Sequence, residues 1–178
     1  MSLDRGVSKD IYESSLIAMS KTAFPTGIIV VLCVTAGFNP VAHAQTASPI
    51  FGDATIQHPL SSDPLILRGM SGGAIPGSKI AGKAETPPTG PCKGFMDEAP
   101  DHTVKLTSKF DYLKLVVQSP ADTTMIVKGP GGTWCNDDFD GKNPGIVGEW
   151  LPGTYQIWIG SYKENESLPY TLKITEGK

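Results

Sequence analysis

Histidine and cysteine are both scarce in this chain of 178 residues, three of each, which leaves little material for a metal-dependent or nucleophilic catalytic centre. No HExxH, GxSxG, Walker-type phosphate loop or GxGxxG in a strand-to-helix setting occurs, so the usual hydrolase, nucleotide-binding and dehydrogenase signatures are missing. There is no basic run: 15 Lys and Arg stand against 18 Asp and Glu, a formal charge of −3. That balance excludes the electrostatic footprint of a nucleic-acid binder or a polybasic membrane patch. No apolar run approaches the roughly 20 residues that span a bilayer, and no stretch repeats apolar residues at helical spacing over several turns. What is plentiful is glycine, 20, and proline, 15, the composition of short strands joined by tight turns.

The first 44 residues differ from the rest. Lys21 precedes the apolar stretch Ile28-Ile29-Val30-Val31-Leu32-Cys33-Val34, Asn39-Pro40 breaks it, and Ala42-His43-Ala44 has the small-x-small pattern of a signal-peptidase site. An exported protein is expected, with a signal helix in residues 1–44, cleavage after Ala44 and Gln45 as the new N-terminus. Met19 offers a more ordinary start than Met1, and a retained anchor is the alternative to cleavage. Cys33 lacks the small neighbours of a lipid-attachment site and reads as an apolar member of the signal. Cys92 and Cys135 then remain as a pair in an oxidising compartment, either periplasmic or extracellular. A bridge between them is the economical reading; it would close a loop of about 44 residues, worth roughly 4 kcal/mol on the chain-entropy model. A two-ligand fragment of a metal site and two free thiols are the competing readings.

After Gln45 the pattern predicts strands. Residues 45–91 read as an N-terminal arm, loosely held as far as about residue 62 with an edge strand at 51–56, then a better strand at 63–69 ended by Ser71-Gly72-Gly73, a short one near 78–83 and a Pro-rich connector over 85–91. From Cys92 onward the alternation sharpens. Val104, Leu106 and Phe110 alternate with Lys105, Thr107 and Lys109, and Leu113, Leu115 and Val117 repeat the pattern. Thr123–Lys128, Tyr155–Gly160 and Tyr170–Thr175 follow, with turn chemistry between them and a long Gly/Asp/Asn loop over 136–145. The fold class predicted is all-β: an antiparallel two-sheet β-sandwich, jelly-roll-like, over residues 92–178.

Two stretches carry candidate chemistry. In Asn136-Asp137-Asp138-Phe139-Asp140-Gly141, Asn136, Asp138 and Asp140 sit at the one, three and five spacing of a calcium loop, with Gly141 at the turn. Position twelve is Val147, so an EF-hand is rejected, and Glu149 is the candidate to complete a looser calcium site. Calcium is the one cofactor expected; the ordinary alternative is a polar turn whose Asn and Asp side chains bond their own backbone. Trp134, Trp150 and Trp158 concentrate in the C-terminal half. In the strand from Tyr155, residues 155, 157 and 159 take one face and Trp158 the other, which makes Trp158 the candidate for an exposed sugar-stacking platform. Asp101-His102 near Ser108 supplies fragments of a triad without a nucleophile elbow, so the enzyme reading ranks last.

Pro100-Asp101-His102-Thr103, Asp122-Thr123-Thr124, Cys135-Asn136-Asp137-Asp138, Asn143-Pro144 and Leu151-Pro152-Gly153-Thr154-Tyr155-Gln156-Ile157-Trp158-Ile159-Gly160 together resemble the bacterial pre-peptidase C-terminal domain family over roughly 92–175. The resemblance implies a β-sandwich module of the kind attached to secreted proteases, serving binding, targeting or folding. Many members carry Asp-Asp-Asp-Ser-Gly-Gly where this chain reads Asn136 to Gly141. The expectation is a stand-alone, non-catalytic exported module with a protein or polysaccharide partner, no nucleic acid and no stable membrane span after cleavage; a small lectin-like protein is the alternative.

Overall fold

The computed structural model describes residues 47–177; the expected signal segment, the expected cleavage site and Cys33 lie outside the described residues. Thirteen strands and one short helix follow in order. They are β1 (Asp53–Ile56), β2 (Leu65–Met70), β3 (Ile75–Pro76), α1 (Gly77–Ala81), β4 (Glu85–Thr86), β5 (Gly90–Pro91), β6 (Phe95–Met96), β7 (His102–Leu106), β8 (Phe110–Gln118), β9 (Thr123–Gly129), β10 (Gly132–Asn136), β11 (Gly145–Trp150), β12 (Gly153–Ser161) and β13 (Pro169–Thr175).

The alternation read from the sequence sorts these strands into two layers. One sheet runs β10-β9-β12, and β12 continues to β7 along its first half and to β6 at Ser161. The other runs β11-β8-β13-β2, antiparallel throughout. From β7 to β13 every connection passes from one sheet to the other except the β9–β10 hairpin, the winding expected of a jelly-roll-like sandwich. Between the layers lie Phe110, Leu113, Leu115 and Val117 of β8, Leu172 and Ile174 of β13, Met125 and Val127 of β9, and Tyr155, Ile157 and Ile159 of β12, all nearly or fully excluded from water. Each such side chain contributes about 1.5–3 kcal/mol by leaving water.

Four expectations change. The stretch up to residue 62 is not loose: β1 pairs parallel with β7, Ile56 beside Leu106, and the strand expected at 63–69, β2, pairs with β13, Leu67 beside Leu172. Each completes a sheet edge that would otherwise expose its backbone groups. The turn between β1 and β2 is tied to the C-terminal end, where Glu176 accepts from Leu60 N at 2.7 Å and pairs with His58, while Asp63 Oδ2 accepts from Gly177 N at 3.0 Å. Second, residues 77–81 form the helix α1 in place of a strand, stopped by Gly82 in the left-handed region at φ 74°. Third, the connector over 85–91 contains the small β4–β5 ribbon. Fourth, β10 and β11 were hidden, because glycines and a bulge between Gly148 and Trp150 break the period-two pattern.

Trp158 is the consequential correction. It does face away from Tyr155 and Ile157, yet it is only 5% exposed. The outer side of its sheet carries a second apolar cluster of Ala81, Cys92, Met96, Ile126, Cys135 and Trp158, roofed by α1 and the segment around β4 and β5. The Cys92–Cys135 disulfide is formed, with the two Cα atoms 5.0 Å apart, and fastens this roof to β10. Trp158 Nε1 donates to the Glu98 carbonyl at 3.4 Å, and Lys128 Nζ lies 5.5 Å from the ring centre. It is a packing residue, not an exposed platform.

Candidate functional site

The acidic loop leaves β10 and returns at β11, and its ends are pinned by Asn136. That side chain donates to the Thr89 carbonyl at 2.7 Å and accepts from Gly145 N at 2.8 Å. Its amide is consumed in closing the loop, so Asn136 does not serve as a free oxygen donor. At the tip, Phe139 N and Asp140 N both donate to the Asn143 carbonyl, at 2.9 and 3.0 Å, and Asn143 N returns to Asp140 O at 3.2 Å. Gly141 takes φ 66° to make that turn, and Asp140 stands exposed on it. Glu149 lies on β11 with its carboxylate 3.2 Å from Lys109 Nζ. Of the four expected calcium ligands, only Asp138 belongs to a tight carboxylate cluster.

That cluster is Asp122, Asp137 and Asp138, which bring one carboxylate oxygen each within 4.8 Å of the others. Asp122 ends the turn before β9. This turn is built on Ser119 Oγ accepting from Ala121 N at 3.3 Å, and Tyr162 N donates to the Asp122 carbonyl at 3.0 Å. Thr123 Oγ1 donates to Asn143 Oδ1 at 3.0 Å, and Asn143 Nδ2 to the Ser119 carbonyl at 3.3 Å, so the acidic loop and the β8–β9 turn are laced together. Asp137 is 5% exposed, with Lys93 Nζ 3.3 Å from its Oδ2. Its Oδ1, and Asp122 Oδ1, are buried without a hydrogen-bond partner among the described residues.

The electrostatics follow from that packing. Burial, helped by the neighbouring charges of Asp138 and Asp122, pushes the Asp137 carboxyl above the usual carboxylate range, and Lys93 only partly opposes it. The Lys93 ammonium is correspondingly held up, first by Asp137. A three-carboxylate pocket with two unsatisfied buried oxygens and one lysine is under-neutralised, and hard oxygen donors of this type match calcium. Donors of this kind suit the ion the sequence pointed to, with Asp138 retained and Asp122 and Asp137 in place of Asn136, Asp140 and Glu149. Asp122 lies outside the stretch that spacing selected, and Asp137 falls between positions one and three of it. The legible signal was the Asn-Asp-Asp run itself; the spacing rule of a helix-flanked loop does not transfer to the end of a strand.

Two other groupings complete the inventory. His102 is fully buried, its Nε2 2.8 Å from the Tyr170 hydroxyl, and Asp101 Oδ2 accepts from Ile159 N at 2.8 Å. Ser108 Oγ instead accepts from His58 N at 2.7 Å. Asp101, His102 and Ser108 thus do not converge on a substrate-accessible point. Trp134, Trp150 and Tyr155 line an open cleft of about 330 Å³ at one end of the sandwich. Trp150 Nε1 donates to Leu113 O at 3.0 Å and the Tyr155 hydroxyl to Leu151 O at 2.9 Å, so these two rings spend their polar atoms inside the fold.

No family model matches the chain. It is 30% identical over 86 residues to an uncharacterized protein of Synechococcus elongatus, a match covering 46% of this chain and 63% of that relative, less than two thirds of its length. Among solved structures it is similar to the pre-peptidase C-terminal domain of a collagenase from Bacillus anthracis, at 12% identity and a TM-score of 0.41 over 69% of this chain and 94% of that one. It is also similar to the Aeromonas hydrophila periplasmic inhibitor of g-type lysozyme, at 16% identity and a TM-score of 0.38 over 70% of this chain and 96% of the other.

Proposed function

We propose that this chain is a non-catalytic accessory module of the periplasm or cell surface, with a calcium ion held between Asp122, Asp137 and Asp138 tying the acidic loop to the β8–β9 turn. The observation that carries the calcium reading is the pair of buried, unpartnered carboxylate oxygens, Asp122 Oδ1 and Asp137 Oδ1. Leaving such groups unpaired in a dry site costs several kcal/mol, and a divalent cation supplies the missing positive charge. Lys93 pairs with Asp137 Oδ2 at 3.3 Å and leaves its Oδ1 without a partner among the described residues. Export is supported by the Cys92–Cys135 bridge, a linkage of oxidising compartments. The non-catalytic reading is supported by the dispersal of Asp101, His102 and Ser108 into structural hydrogen bonds.

Thermal melting across a calcium titration tests the metal role. Ten-fold excess over a roughly millimolar dissociation constant stabilises by about 1.4 kcal/mol, a rise of several degrees in midpoint. Asp137→Asn abolishes that response, whereas Glu149→Gln retains it. A midpoint that stays constant from chelator to millimolar calcium removes the metal from this reading and leaves the accessory module.

A further inference from the structure

The outer face of the β11-β8-β13-β2 sheet carries a pattern that strand register alone creates. Lys114 on β8 lies opposite Thr175, Val116 opposite Lys173, and Gln118 opposite Thr171. On the other side of β13, Lys173 lies opposite Ile66 and Thr171 opposite Arg68. Lys114, Lys173 and Arg68 therefore occupy successive rows on successive strands, a diagonal of three cations with steps of about 7–8 Å. Thr175, Thr171 and Gln118 flank it with hydroxyl and amide groups. None of the three cations takes part in an ion pair among the described residues, while the chain as a whole carries −3.

A trough of about 350 Å³ opens on this face between Lys114, Val116, Gln118, Lys173 and Thr175, and the acidic loop closes one rim with Phe139 and the carboxylate of Asp140. Phe139 is 50% exposed. Its ring rests against Gly145, where an added Cβ would meet it at 2.6 Å, so it is seated beside the trough at the start of β11.

We propose that this face binds an acidic polysaccharide along the Lys114–Lys173–Arg68 diagonal, with Phe139 stacking on a sugar ring at one end. Charge complementarity selects a polyanion for this face and discourages it elsewhere on a negative molecule. The step of about 7–8 Å between cations suits a chain with one carboxylate on each sugar or every second one. Hydroxyl and amide neighbours match sugar hydroxyls, and an exposed aromatic face covers the apolar side of a pyranose ring. The proposal deepens the accessory-module reading by naming the partner's chemistry, and does not depend on calcium.

Affinity electrophoresis of the folded, disulfide-bonded protein in native gels containing polygalacturonate, with chelator throughout, tests it apart from the metal. The expected result is retardation that weakens steeply from about 0.05 to 0.3 M salt. The triple variant K114Q/K173Q/R68Q binds about tenfold more weakly. Phe139→Ala loses severalfold with the salt dependence unchanged, and K79Q/K83Q on and beside α1 binds like the native chain. Absence of retardation by polygalacturonate, equal retardation by neutral dextran, unchanged binding in the triple variant, or tighter binding to duplex DNA each overturns the proposal. The charge variants keep the hydrophobic core intact, and melting midpoints close to that of the native chain verify that each variant, Phe139→Ala included, is folded.

Discussion

Asp101 is almost wholly out of water, and its Oδ2 is committed to Ile159 N while Oδ1 receives the Tyr170 hydroxyl at 3.3 Å. Burial dominates these hydrogen bonds, and the carboxyl is pushed up to about 7. The folded state consequently keeps a proton that the unfolded chain releases near its ordinary value of 3.8. The resulting stabilisation is complete below that value and is lost as pH rises through about 7. Over this window the loss is on the order of 4 kcal/mol. His102 acts in the opposite direction: burial lowers its pKa, so its share is lost as pH falls below the value for a free imidazole. Urea unfolding of the native chain and of Asp101→Asn between pH 4 and 8 separates the two. The native-minus-variant difference in unfolding free energy is expected to decrease with rising pH; a difference independent of pH refutes the assignment. Neither shift was visible in the sequence, where Asp101-His102 read as fragments of a triad, because burial of the pair depends on Phe51, just before β1, and Tyr170 of β13, both distant in the chain, packing against His102.

At the scale of elements, the strands most readable in the sequence are those with one dry face and one wet face: β7, β8 and β13. The least readable are those whose two faces are both covered or whose glycines interrupt the period. Trp158 shows the difference. Alternation placed it on the outer side of β12, correctly, but local pattern carries no information that α1, Cys92 and Met96 cover that side. The disulfide is the covalent tie between this roof and β10, beside the hydrogen bonds from Cys135 N to Thr86 Oγ1 and from Asn136 Nδ2 to the Thr89 carbonyl. Replacing both cysteines with alanine is expected to cost about 2–4 kcal/mol of stability and to loosen the roof. Trp158 then moves toward water, and the tryptophan emission shifts to the red. The same double replacement in a Trp158→Phe background shows no such shift, which distinguishes local loosening from global expansion. An unshifted spectrum in the double variant contradicts the roof's dependence on the bridge.

The whole molecule rests on the layer between the sheets, and Leu172 is at its centre, fully buried, with β8 on one side of its strand and β2 on the other. Leu172→Ala is expected to cost about 2–5 kcal/mol with an unchanged denaturant slope, read by urea unfolding; a cost near zero rejects the central position of β13. β2 and β1 extend this layer from a region that composition marked as an arm. They dock there because β13 and β7 would otherwise be bare edges. The metal candidate also belongs to this scale. Asp137 and Asp138 are adjacent in sequence, and Asp122 reaches them only because the β8–β9 turn and the acidic loop lie at the same end of the sandwich, joined through Asn143.

From the amino-acid sequence alone came the all-β class, the direction each alternating strand faces, the turns and the pairing of two cysteines, because each is a matter of nearest neighbours, chain stereochemistry or counting. Tertiary structure alone decided which sheet each strand joins, that Trp158 is roofed over, that Asp122 in place of Asn136 completes the carboxylate cluster, and that three cations from three strands form one diagonal. Those outcomes depend on register and on which surface covers which. Both are set by closing the chain over a shared core, and neither leaves a periodic trace in the local sequence.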